Sequence, residues 1–313
     1  MLGSVLTLLF FLAVGIGWRF LTPGGITAES LQRPLASLIH FILLPLAVFF
    51  VMLDLPLNEA ALRILLYVLG TSAIGLAVAW LWLWKVSLGG KTKGALFIAA
   101  AFGNIFFLGL PLNVIFYPDW TMRVAVEYGL VANVLLLYTA GVVLSRSFGD
   151  EGKIQFKKSL ALLKEYKVWL QEPLVWATLL ALVLNVAGVE FPAWLKGIRS
   201  AVDGSLVALL LVSVALSLNW SKAWNTQVIR VLPAAAIQLI LVPLVMWGMA
   251  ELFGAAGVKT TQVLLLDSML PATVLGFAFC DRFKLDGSSF SLAFVLTTAL
   301  SVVTIPVWAK LLF

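Results

Sequence analysis

The chain has 313 residues, 62% of them hydrophobic and only 12% charged, with a mean hydropathy of +1.06. A soluble domain carries about a quarter charged residues and roughly half apolar ones, so the apolar surplus here has to face lipid. The net charge of +6 does not point to nucleic acid, because the basic residues lie in short segments between apolar runs, where they set membrane topology.

Windows of about twenty apolar residues predict spans near 3–20, 34–53, 61–84, 94–117, 122–145, 172–190, 199–218, 229–250, 261–280 and 289–312. The first window lacks the basic leader and small-residue cleavage site of a secretory signal, so it is read as a span. Between the fifth and sixth windows lies the one sizeable polar segment, 146–171. Its Phe156, Leu160, Leu163 and Trp169 suggest an amphipathic helix on the membrane surface. This linker divides the chain into a first five-helix repeat at 1–145 and a second at 172–313. An odd number of spans per half inserts the second half in the opposite sense, so the two halves can form an inverted repeat.

Counting Lys and Arg in alternate loops gives fifteen on the side that holds the linker against six on the other. The positive-inside rule then places 146–171 in the cytoplasm and both termini outside. The expected location is the cell membrane, multi-pass. Trp80, Trp82 and Trp84 fit an interfacial belt at the cytoplasmic end of span three.

Two spans carry breaks. Span four is interrupted by Gly103-Asn104 and again by Gly109-Leu110-Pro111. Span nine holds Asp267, Ser268, Pro271, Thr273 and Gly276 at similar depth. Proline removes a backbone donor and crowds the carbonyl four residues earlier. In hydrocarbon such freed groups are costly unless they line a cavity or meet a partner. Proline and glycine also kink ordinary membrane helices, but two breaks at corresponding positions of the halves, each flanked by polar residues, point to a substrate site. Asp267 is the sharpest single residue: a charge at that depth costs at least about 2.5 kcal/mol on insertion scales. It suits a group that takes up and releases a proton. Glu127 and Asp203 lie nearer the outer ends of their spans and read as structural. Asn133, Gln238 and Ser301 are further mid-depth polar residues, read as interhelical bonds or accessory ligands, as are Thr297, Thr298 and Thr304. His40, the only histidine, reads as a packed or hydrogen-bonded side chain. With one histidine and one cysteine, Cys280, neither a disulfide within the chain nor an all-protein zinc site is expected.

These motifs resemble the auxin efflux carrier family, which joins plant auxin carriers to bacterial permeases. Asn104-Ile-Phe-Phe-Leu-Gly-Leu-Pro111-Leu is similar to the family's Asn-x-x-x-x-Gly-x-Pro-Leu in span four. Further matches are Met269-Leu-Pro271-Ala-Thr, Phe283-Lys-Leu-Asp286, Thr298-x-x-Ser301-x-x-Thr304-x-Pro306, and Glu172-Pro173-Leu with Asn185. The resemblance implies an all-α membrane protein of ten transmembrane helices in two inverted five-helix repeats, with broken, crossing helices 4 and 9. It also implies a scaffold part and a transport part that move in an elevator-like cycle. Asn104, Pro111 and Pro271 match the motif as substrate positions, with Gly109 and Thr273 beside them; Asp267 rests on its depth alone. The linker is far shorter than in most plant carriers, which favours a bacterial-type permease over an auxin carrier.

The expected function is secondary transport of small organic anions, mono- or dicarboxylates or auxin-like acids, with proton coupling through Asp267. A sodium symporter of the same fold is the alternative, and a channel or membrane sensor the other class. Signatures of intramembrane proteases are absent from the sequence, so an enzyme is not expected. No cofactor is expected beyond a coupling H⁺ or Na⁺. The expected partners are the organic anion and the bilayer, not nucleic acid, and a homodimer is compatible with the sequence.

Overall fold

A computed structural model describes residues 2–55, 59–116, 121–148, 172–189, 192, 194–218, 227–253 and 258–312. Most of the linker, with its expected amphipathic helix, lies outside the described residues. Everything described is helix, turn or short irregular chain, apart from one isolated backbone bridge. The helices are α1 (Leu2–Leu21), α2 (Ala28–Leu53), α3 (Glu59–Lys85), α4 (Gly90–Ala101), α5 (Leu110–Phe116) and α6 (Thr121–Arg146). They continue as α7 (Pro173–Val186), α8 (Trp194–Ser217), α9 (Val228–Leu252), α10 (Lys259–Ser268), α11 (Leu275–Phe283) and α12 (Gly287–Leu312). Six of these, α2, α3, α6, α8, α9 and α12, contain stretches long and apolar enough to cross a membrane. The chain is thus a multi-pass, all-helical membrane protein among its described residues. Among the described residues the apolar windows fall largely on helix, and the fourth and ninth are interrupted at 102–104 and 269–274.

Three prolines mark a recurring local device. Pro45, Pro111 and Pro243 each stand two residues after a π turn, at Ile39–Leu43, Ile105–Gly109 and Ile237–Leu241. The wider turn moves the carbonyl four residues back away from the pyrrolidine ring, so the helix continues through the proline. Around Pro243 the freed carbonyl is also satisfied: Trp308 Nε1 of α12 donates to the Leu239 oxygen at 2.8 Å.

The residues fall into two packed units, each discontinuous in sequence. The first comprises Met1–Ala61, Phe106–Val126 and Lys167–Leu218. Within it α1 packs on α8, and α2 packs on both α7 and α8. Gly15 lets α1 and α8 approach, since a Cβ there would lie 2.5 Å from the Ala215 Cβ. Asn185 of α7 closes the end of α2 by donating to the Met52 and Leu55 carbonyls, both at 2.9 Å.

The second unit comprises Leu62–Ile105, Glu127–Tyr166 and Asn219–Phe313. Its centre is α4, where every residue from Lys93 to Ala100 is buried. A helix buried all round belongs in a core, and α6, α9 and α12 pack about it. Asp286 starts α12: its Oδ1 accepts the backbone N–H groups of Ser288 and Ser289, and its Oδ2 accepts the hydroxyls of Ser289 and Thr92. That cap explains the Asp286 of the sequence motif.

A buried break with a polar lining

The candidate site lies in the second unit, where α4 ends and α10 gives way to α11. Residues 102–104 and 269–274 are irregular and almost wholly buried. Phe102 is extended, with φ −127° and ψ 113°. The two irregular stretches run antiparallel and pair through their backbones: Asn104 N–H donates to the Pro271 carbonyl at 2.8 Å, and Thr273 N–H to the Phe102 carbonyl at 2.9 Å. Gly103 faces Ala272 at the centre of this bridge.

Side chains from three further helices satisfy the rest. Asn133 of α6 donates its Nδ2 to the Gly103 carbonyl at 3.0 Å, and Gln238 of α9 donates its Nε2 to the Leu270 carbonyl at 2.9 Å. The Ala272 N–H donates to Thr297 Oγ1 of α12 at 3.2 Å, while the Thr297 hydroxyl itself donates to the Ala293 carbonyl. Thr273 Oγ1 accepts the Leu275 N–H at 3.3 Å, and Asn104 Oδ1 accepts the Val274 N–H at 3.4 Å. A broken helix with no water nearby has to find partners for these groups, and here it finds them.

The backbone partners also fix which way each carboxamide points. An amide facing a carbonyl must present its nitrogen, and one facing an N–H must present its oxygen. What remains is one buried donor, Asn104 Nδ2, and two buried acceptors, Asn133 Oδ1 and Gln238 Oε1, none with a hydrogen-bond partner among the described residues. A ligand that offers an acceptor to Asn104, or a donor or cation to the two oxygens, would complete the set.

The other sequence-predicted residues are placed unequally. Asp267 is fully buried in the last turn of α10, within electrostatic range of the buried Tyr128 of α6. Its neighbour Ser268 turns back onto the Leu265 carbonyl at 2.6 Å. Pro271 and Thr273 belong to the bridge itself. Ser301 lies one turn beyond Thr297 and donates to the Thr298 carbonyl at 2.8 Å. Gly109 and Pro111 belong to the first unit, where the Gly109 carbonyl accepts Asn113 Nδ2 at 2.9 Å. The expected second interruption at Pro111 is absent: the π turn carries the helix through it, and span four opens at Phe102–Asn104. Thr297, read from the sequence among the mid-depth polar residues that bond between helices, holds the bridge through the Ala272 N–H. Among the described residues no group of three or more His, Cys, Asp or Glu could hold a metal.

Comparison with known proteins agrees with the motif resemblance. A family model described as "Membrane transport protein" matches residues 2–309. The chain is also similar to an uncharacterized transporter of Methanothermobacter thermautotrophicus, 28% identical over 245 residues. That alignment covers 77% of this chain and 76% of the relative.

Proposed function

Because the chain belongs to the auxin efflux carrier family of membrane transport proteins, we propose that it is a secondary transporter of small organic anions. The carrying observation is Asn104, whose Nδ2 is a fully buried amide donor with no hydrogen-bond partner among the described residues, set at the break. A carboxylate oxygen is its natural acceptor, and a neutral amide binds it without holding a permanent counter-charge in the membrane. Spans four and nine then form the crossing pair of two inverted five-helix repeats, with ten spans in all, both termini outside and the linker in the cytoplasm. Asp267, close to the bridge in sequence and buried, is the coupling group. Alternating access follows an elevator motion in which the break carries the anion across.

A second reading is favoured by a separate observation. The unpartnered Asn133 and Gln238 oxygens are hard ligands for a cation, and with Asp267 they would suit sodium. One assay addresses both. Purified protein in liposomes is offered radiolabelled indole-3-acetate and succinate, under a pH gradient, a sodium gradient or neither. Accumulation of either acid is expected under one gradient, and Asn104→Ala should lower it about tenfold, the value of one charge-assisted bond. Failure to move either acid under every gradient would sink the organic-anion reading.

A further inference from the structure

In the first unit two ionisable side chains meet with little exposure. His40 Nε2 stands 3.1 Å from Glu172 Oε2, and the two side chains keep 13% and 6% of their surface exposed. His40 lies on the π turn of α2, and Glu172 immediately precedes Pro173 at the N-cap of α7. An acid in that position would ordinarily serve the free N–H groups of the first turn. The Glu172 side chain makes no such bond and reaches across to α2 instead. His40 Nδ1 is buried and has no hydrogen-bond partner among the described residues. With Nε2–H donating to the carboxylate, Nδ1 holds a lone pair that can accept one proton.

Other charged groups stand on the elements around this turn. Glu29 of α2 is held by Arg19 at 2.5 Å, and Arg199 of α8 is paired with Asp54 and Asp203. Arg33 stands seven residues before His40 on α2, and Lys196 stands in the first turn of α8.

We propose that His40 and Glu172 form a proton-binding site of the carrier. Nδ1 takes one proton from water, the imidazole becomes imidazolium, and the Nε2–H···Oε2 contact becomes a charge-assisted bond tying α2 to α7. Acid tightens this tie and alkali loosens it. Substrate exchange therefore depends on pH even without a gradient, separately from any cation bound at Asp267. The inference rests on the transporter reading above.

The test is exchange of radiolabelled succinate or indole-3-acetate at equal pH on both sides of the liposome, from pH 5.5 to 8. Wild type should vary about threefold or more across this range, and His40→Gln and Glu172→Gln should flatten the profile. A variant with the wild-type profile overturns the proposal. A second arm needs no transport: ¹⁵N NMR of the chain's single histidine in reconstituted protein reports its protonation directly. A change in its nitrogen signals with pH that differs between wild type and Glu172→Gln supports the site. An imidazole that never takes a proton in this range overturns it, even if the variants transport poorly. If wild type exchanges neither acid, the transport reading fails, while the NMR arm still decides the pair.

Discussion

Four prolines of this molecule fall into two contrasting settings. At Pro45, Pro111 and Pro243 a π turn absorbs the ring and the helix runs on. At Pro271 the helix is abandoned, and the chain pairs with residues 102–104 through backbone bonds and borrowed side chains. The difference lies in the surroundings. A break requires partners for many freed groups, and Asn133, Gln238 and Thr297 supply them from α6, α9 and α12. A π turn requires almost none. Proline by itself therefore does not open a helix here; at Pro271 the opening comes with a polar retinue from other helices.

This contrast can be broken by experiment. The largest stability effect is expected for Gln238→Leu or Asn133→Leu. Each leaves a buried carbonyl of the bridge unsatisfied, at about 2–3 kcal/mol, measurable by unfolding in mixed micelles. Little loss in both would mean the side chains are not what holds the bridge. Pro271→Ala and Pro111→Ala form the next pair. The first adds a buried N–H to the bridge, with no acceptor shown for it, at about 1–3 kcal/mol. The second lets a π turn relax and should stay within about 1 kcal/mol of wild type. Equal effects would erase the distinction.

Smaller still is Trp308→Phe, which removes the donor to the Leu239 carbonyl near Pro243 and should cost about 1 kcal/mol. Asp286→Asn, at the head of α12, gives the pH-dependent case. Burial pushes the Asp286 carboxyl upward, but the bonds from Ser289, Thr92 and Ser288 outweigh it and hold the group below the usual carboxylate range. Its contribution is thus present above the unfolded value, about 3.9, and lost as pH falls through the lower folded value. The stability gap between wild type and Asp286→Asn should close below about pH 4. A gap that persists there would show that the cap does not depend on charge.

Much of the fold was legible because a bilayer permits few choices. The apolar windows had to be largely helical, and among the described residues they are, with six helices long and apolar enough to cross a membrane. Gly103-Asn104 announced its break through residue type alone. Pro111 misled, because a proline carried by a π turn and a proline in an unwound stretch have the same local sequence. The bonds that complete the bridge were not legible at all: Asn133 lies thirty residues from Gly103, and Gln238 thirty-two from Leu270. His40 and Glu172 are 132 residues apart. Each looked like a lone polar residue, because a linear pattern carries no record of which carbonyl or carboxylate will stand opposite.

The two direct bonds between residues 102–104 and 271–273 join main-chain atoms. Such a tie is blind to side-chain identity, so mutational drift at these positions leaves it intact unless proline removes a donor. The side chains around it are under no such protection. The lining can therefore change in sequence while the backbone tie is inherited.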